Sequence, residues 1–218
     1  MTEQKTLKQL LINGAGELGI ELSDSQVDAC FLYLSELKKW NRKINLTAIR
    51  DDRDIIIKHF LDSFSFLRGF MPREGLRLLD MGSGAGFPAL PVKIAHGEIE
   101  ITMVESVKKK ASFLRHIIRT LDLKGVEVLD KRTDGLPDAF HGRYDVVTAR
   151  AFARMEAALA AGVGFLKAGG LMVLSRGPEE KIEAQELPKA GVSLEARTEL
   201  KLPLSDYRRV IWVFKKLA

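Results

Sequence analysis

The 218-residue chain has little of what staples or interrupts a small fold: one cysteine, seven prolines, two tryptophans and no long hydrophobic run. Cys30 has no partner within the chain, which excludes an intrachain disulfide framework, and no Cys/His cluster has zinc spacing. No apolar run approaches the roughly 18 residues that span a bilayer. The N-terminal stretch MTEQKTLKQLLINGAGEL is polar and charged at helical spacing. These absences predict a reducing, cytoplasmic setting without membrane contact. A chain of this length buries roughly 70% of the surface its unfolded form exposes, so its core needs neither disulfide nor metal. Lys and Arg number 34 against 29 Asp and Glu, an excess too small to name a partner; the placement of the charge matters more.

What is present divides the chain in two. Residues 1–70 read as helices. The stretch 23–40 opens with Ser23 and Gln26 at capping-box spacing and sets Val27, Cys30, Phe31, Leu34 and Leu37 on one face. A second stretch, 53–68, aligns Ile56, Phe60, Phe64 and Leu67, and a weaker one covers 5–18. From Gly75 short β-rich runs (76–81, 99–104, 126–129, 144–149, 171–175) alternate with helical patterns (87–96, 107–121, 153–166, 178–187). Such alternation predicts a parallel sheet covered on both faces. Runs at 192–200 and 209–214 have no helix between them and predict an antiparallel hairpin at the sheet edge. The expectation is an α/β protein with an N-terminal helical cap, 1–70, followed by a ligand-binding domain, 71–218.

The most informative segment is LLDMGSGAGFPAL, 78–90. A strand ends in Asp80, and Gly82, Gly84 and Gly86 follow, which lets the backbone turn sharply and approach a ligand. The nicotinamide fingerprint is G-x-G-x-x-G, whereas this turn reads G-x-G-x-G after an acid. A carboxylate there repels a pyrophosphate but accepts from a cation. S-adenosylmethionine, with an ammonium, a sulfonium and no phosphate, fits this combination better. Glu105, at the end of the second strand, stands where an acid accepts ribose hydroxyls in dinucleotide folds, or else caps the next helix.

With W-N-x-x-x-N-L-T at 40–47, H-F-L-D-S at 59–63, D-M-G-S-G-A-G-F-P at 80–88, V-E-S-x-x-K-K-x-x-F-L at 104–114 and T-A-R-A-F-A at 148–153, the chain resembles the bacterial 16S rRNA methyltransferase G family, also called glucose-inhibited division protein B. The resemblance implies a Rossmann-like class I S-adenosylmethionine-dependent methyltransferase with a mostly parallel sheet, residues 71–218 being the methyltransferase domain. It implies transfer of a methyl group to N7 of a guanine in the decoding-region loop of 16S rRNA, free or in a small-subunit particle. It further implies cofactor contacts at Gly82, Phe87, Thr133, Asp134 and Arg150. Two positions depart from the family pattern: Arg132-Thr133-Asp134 stands where Arg-Ala-Glu is usual, and Arg176-Gly177 where Lys-Gly is usual.

Guanine N7 bears a lone pair and no proton, so in-line attack on a sulfonium methyl at about 3–3.5 Å needs positioning and no general base. No catalytic acid or base is therefore assigned. For RNA, the helical stretch 107–121 sets Val107, Ala111, Leu114, Ile118 and Leu121 inward and Lys108, Lys109, Arg115 and Arg119 outward. The outward face suits phosphates, and equally an ordinary solvated surface. Arg150 and Arg154 follow the fourth strand at the edge where ligands bind in open sheets. Lys38, Lys39, Arg42 and Lys43 surround Trp40, which either stacks on a base or sits between cap and catalytic domain. His59 and Asp62 either hydrogen-bond the substrate or brace the cap. Nothing in the chain demands a dimer. The competing readings are the same chemistry on another acceptor, an RNA-binding module without catalysis, and a nicotinamide-binding protein.

Overall fold

A computed structural model describes residues 3–150, 154–183 and 185–217. Five parallel strands, β1 (Arg77–Met81), β2 (Glu100–Val104), β3 (Val126–Leu129), β4 (Tyr144–Arg150) and β5 (Leu166–Arg176), are joined by β6 (Val192–Lys201) and β7 (Arg208–Lys216). The sheet order is β3-β2-β1-β4-β5-β7-β6, with β7 antiparallel to both of its neighbours. The C-terminal hairpin is thus present, and its second arm is the one inserted against β5.

Both faces of the sheet are covered, and strand alternation decides what each face meets. Leu78, Val146, Val173, Ile211 and Val213 point into one core, shared with Leu11, Tyr33, Leu37, Phe60 and Phe64 of the N-terminal helices. Leu79, Met81, Val147, Leu174, Trp212 and Phe214 point into the opposite core, under Met155 and Leu159. Helices α1 (Glu3–Glu17) and α2 (Asp24–Asn41) belong to the first layer. So does a continuous helical segment: α3 (Asp52–Ile55), a π-helical turn over Ile56–Leu61, α4 (Asp62–Ser65) and a 3-10 turn over Phe66–Arg68. Ser23 caps α2 in the expected box, its Oγ accepting from Gln26 N and Gln26 Oε1 accepting from Ser23 N. Gln26 also donates to the Ile94 and Ala95 carbonyls at 2.9 and 3.0 Å, docking α2 on the end of α5 (Ala89–Ala95).

Three local expectations change. Helix α6 (Lys108–Thr120) buries Ala111, Phe113, Leu114 and Ile117, and Val107 is exposed just before it, so its inward face is rotated from the expected stripe. After β4, α7 (Met155–Gly162) ends in a 3-10 turn and β5 begins at Leu166, earlier than expected. The helix expected over 178–187 is absent among the described residues; only α8 (Glu186–Lys189) forms. Ile182 and Leu187 lack helical spacing, and Pro188 removes a backbone donor, so nothing there sustains an amphipathic helix. No helix among the described residues is long and apolar enough to cross a membrane.

Candidate active site

The glycine turn connects β1 to α5. Gly82, Gly84 and Gly86 have φ of 64°, 56° and 92°, but the last two serve different needs. A Cβ on Gly86 would lie 2.6 Å from both Leu90 Cδ1 and the Tyr33 hydroxyl, so packing demands this glycine. A Cβ on Gly84 would meet only the Gly82 carbonyl, at 3.8 Å. Tyr33 of α2 donates its hydroxyl to the Ala85 carbonyl and stacks on Phe87 at 5.1 Å. His59 stacks on Phe87 from another side at 4.6 Å. The Phe87 ring is buried in that stack, leaving its backbone for any cofactor contact.

Asp80 is the register partner of Thr148, whose hydroxyl donates to Asp80 Oδ1 at 2.9 Å. Asp80 Oδ2 is buried without a hydrogen-bond partner among the described residues. Burial pushes the carboxyl up to about 6, against the pull of hydroxyl donors and Arg150. An orphaned carboxylate oxygen beside a glycine turn fits the ammonium of S-adenosylmethionine, which would supply the missing donor. Glu105 Oε2 accepts from Gly84 N and Oε1 from Val107 N, each at 2.8 Å. The acid expected at a ribose therefore clamps the turn and the entry to α6, and each oxygen keeps a lone pair for a hydroxyl. Beyond the turn, Gly82, Val104, Ser106, Arg132, Thr133 and Asp134 line a cleft of about 340 Å³. Asp134 is exposed, and two hydrogen bonds from Arg132, at 3.0 and 3.1 Å, hold its carboxyl below the ordinary carboxylate range.

The alternation that turns Asp80 and Thr148 toward the helical layer also turns Arg150 and Arg209 that way. Arg150 Nη1 donates to the Lys58 carbonyl at 3.1 Å and to Asp62 Oδ2 at 3.3 Å, and its guanidinium lies over the Phe87 ring. Arg209 Nε donates to Asp62 Oδ1 at 3.0 Å, and Asp62 is only 2% exposed. A guanidinium only donates, so His59 Nδ1, 3.2 Å from Arg150 Nη2, is the bare nitrogen. Nε2 then carries the proton and donates to Thr47 Oγ1 at 2.8 Å. Burial, with Arg150 alongside, lowers the ring to about 3, so His59 is neutral. His59 and Asp62 thus brace the helical layer, and they also line a cleft of about 430 Å³ with Lys58, Arg150, Arg176 and Arg209. Ser175 Oγ and Arg176 Nε and Nη2 are buried there without hydrogen-bond partners among the described residues. Sequence reading missed Lys58, Ser175 and Arg209; Arg209 lies 147 residues from Asp62, and only strand register unites them.

Of the expected RNA contacts, Lys108, Lys109 and Arg119 are exposed on α6. Arg115 is half-buried and donates to the Val128 carbonyl at 3.3 Å, which ties it to β3. Arg154 is exposed at the start of α7; Ala151, Phe152 and Ala153 lie outside the described residues. Trp40 is half-buried against Phe113 and His116 at 5.6 and 5.1 Å, at the seam of α2 and α6. Lys38 and Lys39 are paired with Asp52 and Glu36.

A parallel sheet with an antiparallel strand inserted near one edge, a glycine turn after β1 and an acid after β2 define a class I S-adenosylmethionine-dependent methyltransferase. Solved structures agree in fold: a SAM-dependent methyltransferase from Aquifex aeolicus superposes with a TM-score of 0.57 at 19% identity, over 83% of this chain and 97% of that one. Precorrin-6y C5,15-methyltransferase from Geobacter metallireducens gives 0.52 at 18%, over 72% and 87%. The family model for rRNA small subunit methyltransferase G matches residues 26–209. Ribosomal RNA small subunit methyltransferase G of Acetivibrio thermocellus is 39% identical over 96% of this chain and 88% of its own length. That of Geotalea uraniireducens is 38% identical over 98% and 99%. The chain belongs to the rRNA small subunit methyltransferase G family.

Proposed function

We propose that this chain methylates N7 of a guanine in the decoding-region loop of 16S rRNA, by in-line displacement without a general base. The pairing of the polar groups in the 430 Å³ cleft carries the reading. Asp62 is held between two guanidiniums, and His59 is neutral with both nitrogens engaged. Glu180 accepts from Met155 N and faces Arg176 at 3.5 Å. The remaining charged groups, Lys58, Arg150, Arg176 and Arg209, are cations. A site so arranged suits an acceptor that arrives with a free lone pair, and guanine N7 is such an atom.

S-adenosylmethionine supplies the methyl group as an electrophile on a sulfonium. Asp80 takes the ammonium of the cofactor, and Gly82 and Gly84 leave room for its approach. Gly86 and Phe87 hold the turn's shape. Glu105 accepts from the ribose, while Thr133 and Asp134 form the adenine end. Arg150 fixes the wall between cofactor and acceptor. Lys108, Lys109, Arg119 and Arg154 provide the phosphate-facing charge around them, while Arg115, tied to β3, is not one of these contacts. The protein acts as a cytoplasmic monomer on 16S rRNA, free or in a small-subunit particle.

The test is methylation of 16S rRNA with labelled cofactor, followed by nucleoside analysis. Label is expected in N7-methylguanosine, absent from a transcript carrying 7-deazaguanosine at the target, with kcat flat between about pH 7 and 9 because the acceptor has no proton to lose. Label on an amine, a ribose hydroxyl or C5, or a rate rising tenfold per pH unit, would overturn the reading.

A further inference from the structure

The loop that follows α2 encloses a second cleft, of about 490 Å³, to which nothing above gives a role. Its walls are apolar at Leu37, Ile49 and Ile55 and polar at Arg42, Asn45 and Arg50. Ile49 also lines the acceptor cleft. Thr47, on the wall of this second cleft, bonds His59, on the wall of the first. The two clefts are therefore separated by one layer of side chains.

The loop is held in shape by its own hydrogen bonds. Asn41 Nδ2 donates to the Thr47 carbonyl at 2.9 Å, and its Oδ1 accepts from Leu46 N and Thr47 N at 2.9 and 3.1 Å. Thr47 Oγ1 accepts from Ile49 N at 3.1 Å. Asn41 thus spends both acceptor positions and one of its two amide protons on folding the loop. Arg42, Asn45 and Arg50 differ: all three are exposed, and among the described residues their side chains have no hydrogen-bond or ion-pair partner. Lys38, beside them, is neutralised by Asp52 at 2.5 Å. Two unpaired guanidiniums for phosphate, a free amide for a base edge and the half-buried Ile49 as an apolar contact for an aromatic ring are the complement of one nucleotide of a single-stranded RNA.

We propose that this cleft is a subsite for a nucleotide flanking the methylated one, Arg42 and Arg50 holding its phosphates and Asn45 its base against Ile49. The inference rests on the RNA reading above. A strand that places one nucleotide in the acceptor cleft has its neighbour at Ile49, the residue common to both walls.

The test is the Arg42→Ala/Arg50→Ala double variant, assayed on naked 16S rRNA and on small-subunit particles. KM for RNA is expected to rise about tenfold, with kcat and calorimetric affinity for S-adenosylmethionine within twofold of the parent. The logarithmic salt dependence of RNA binding should flatten by about one to two units. Arg42→Lys/Arg50→Lys, which keeps the charges, should recover most of the affinity. Parental KM and salt slope in the alanine variant would overturn the subsite. So would a loss confined to kcat, and an effect on particles alone would give the cleft to a ribosomal protein instead. A parent protein that binds S-adenosylmethionine yet methylates no RNA would remove the RNA reading itself, a result that needs no variant.

Discussion

At the scale of one residue, the proposed cofactor contact at Asp80 sets ligand binding against stability. Its folded value of about 6 lies above the 3.8 of an ordinary aspartate, so the fold holds the proton more tightly than the unfolded chain does. The ionised form is therefore penalised: the cost begins as pH rises through 3.8 and is complete above 6, where it amounts to about 3 kcal/mol. Asp80→Asn keeps an acceptor for Thr148 and removes that cost, though its new amide has no partner, a loss of about 1 kcal/mol. At pH 8 the unliganded variant should melt about 5 °C above the parent. The gap should close as pH falls toward 4, while S-adenosylmethionine affinity at pH 8 drops at least tenfold. Melting curves across pH, with calorimetry on the same preparations, check both; a variant that melts lower at pH 8, or binds normally, defeats the assignment.

At the scale of the element, α6 breaks a local rule. Its first turn holds Lys108, Lys109 and Lys110 and no acid, although the positive end of a helix dipole favours carboxylates. Lys108→Glu/Lys109→Glu should therefore leave Tm unchanged or raise it, each acid contributing about 0.3–1 kcal/mol. RNA affinity should fall more than tenfold, because phosphates would then meet two acids. Parental RNA binding in the folded variant would make this face ordinary solvated surface. The helix itself was legible from its period, but its inward face was not. Phe113 and Ile117 fill a space between sheet and α2 that Trp40 and Tyr33 help to define, and that space decides which residues turn in.

At the scale of the molecule, Asp62 joins three parts of the chain: the helical segment 52–68, β4 through Arg150 and the C-terminal hairpin through Arg209. Breaking a buried pair costs roughly 3–5 kcal/mol. Arg150 and Arg209 are 19% and 27% exposed, and water screens part of the loss. Asp62→Asn should then cost about 2–3 kcal/mol, lowering Tm by about 5–10 °C. Scanning calorimetry measures it, and an unchanged Tm would show that the helical layer and the hairpin are held together by their apolar contacts alone.

The sequence by itself determined the alternation of strand and helix, the capping of α2, the glycine turn with its flanking acids and the family. Each of these is written in residues close together in the chain, where period, cap chemistry and turn chemistry act. Tertiary structure alone decided that Phe87 is packed inside the turn, that Glu105 holds the turn, and that Arg115 is tied to β3. It also decided that Arg150, Arg209, His59 and Asp62 share one wall. Those outcomes depend on strand register and on which helix covers which face, so they join residues up to 147 positions apart. No local pattern encodes a meeting of that kind, because it exists only once the sheet has formed and the helical layer has closed over it.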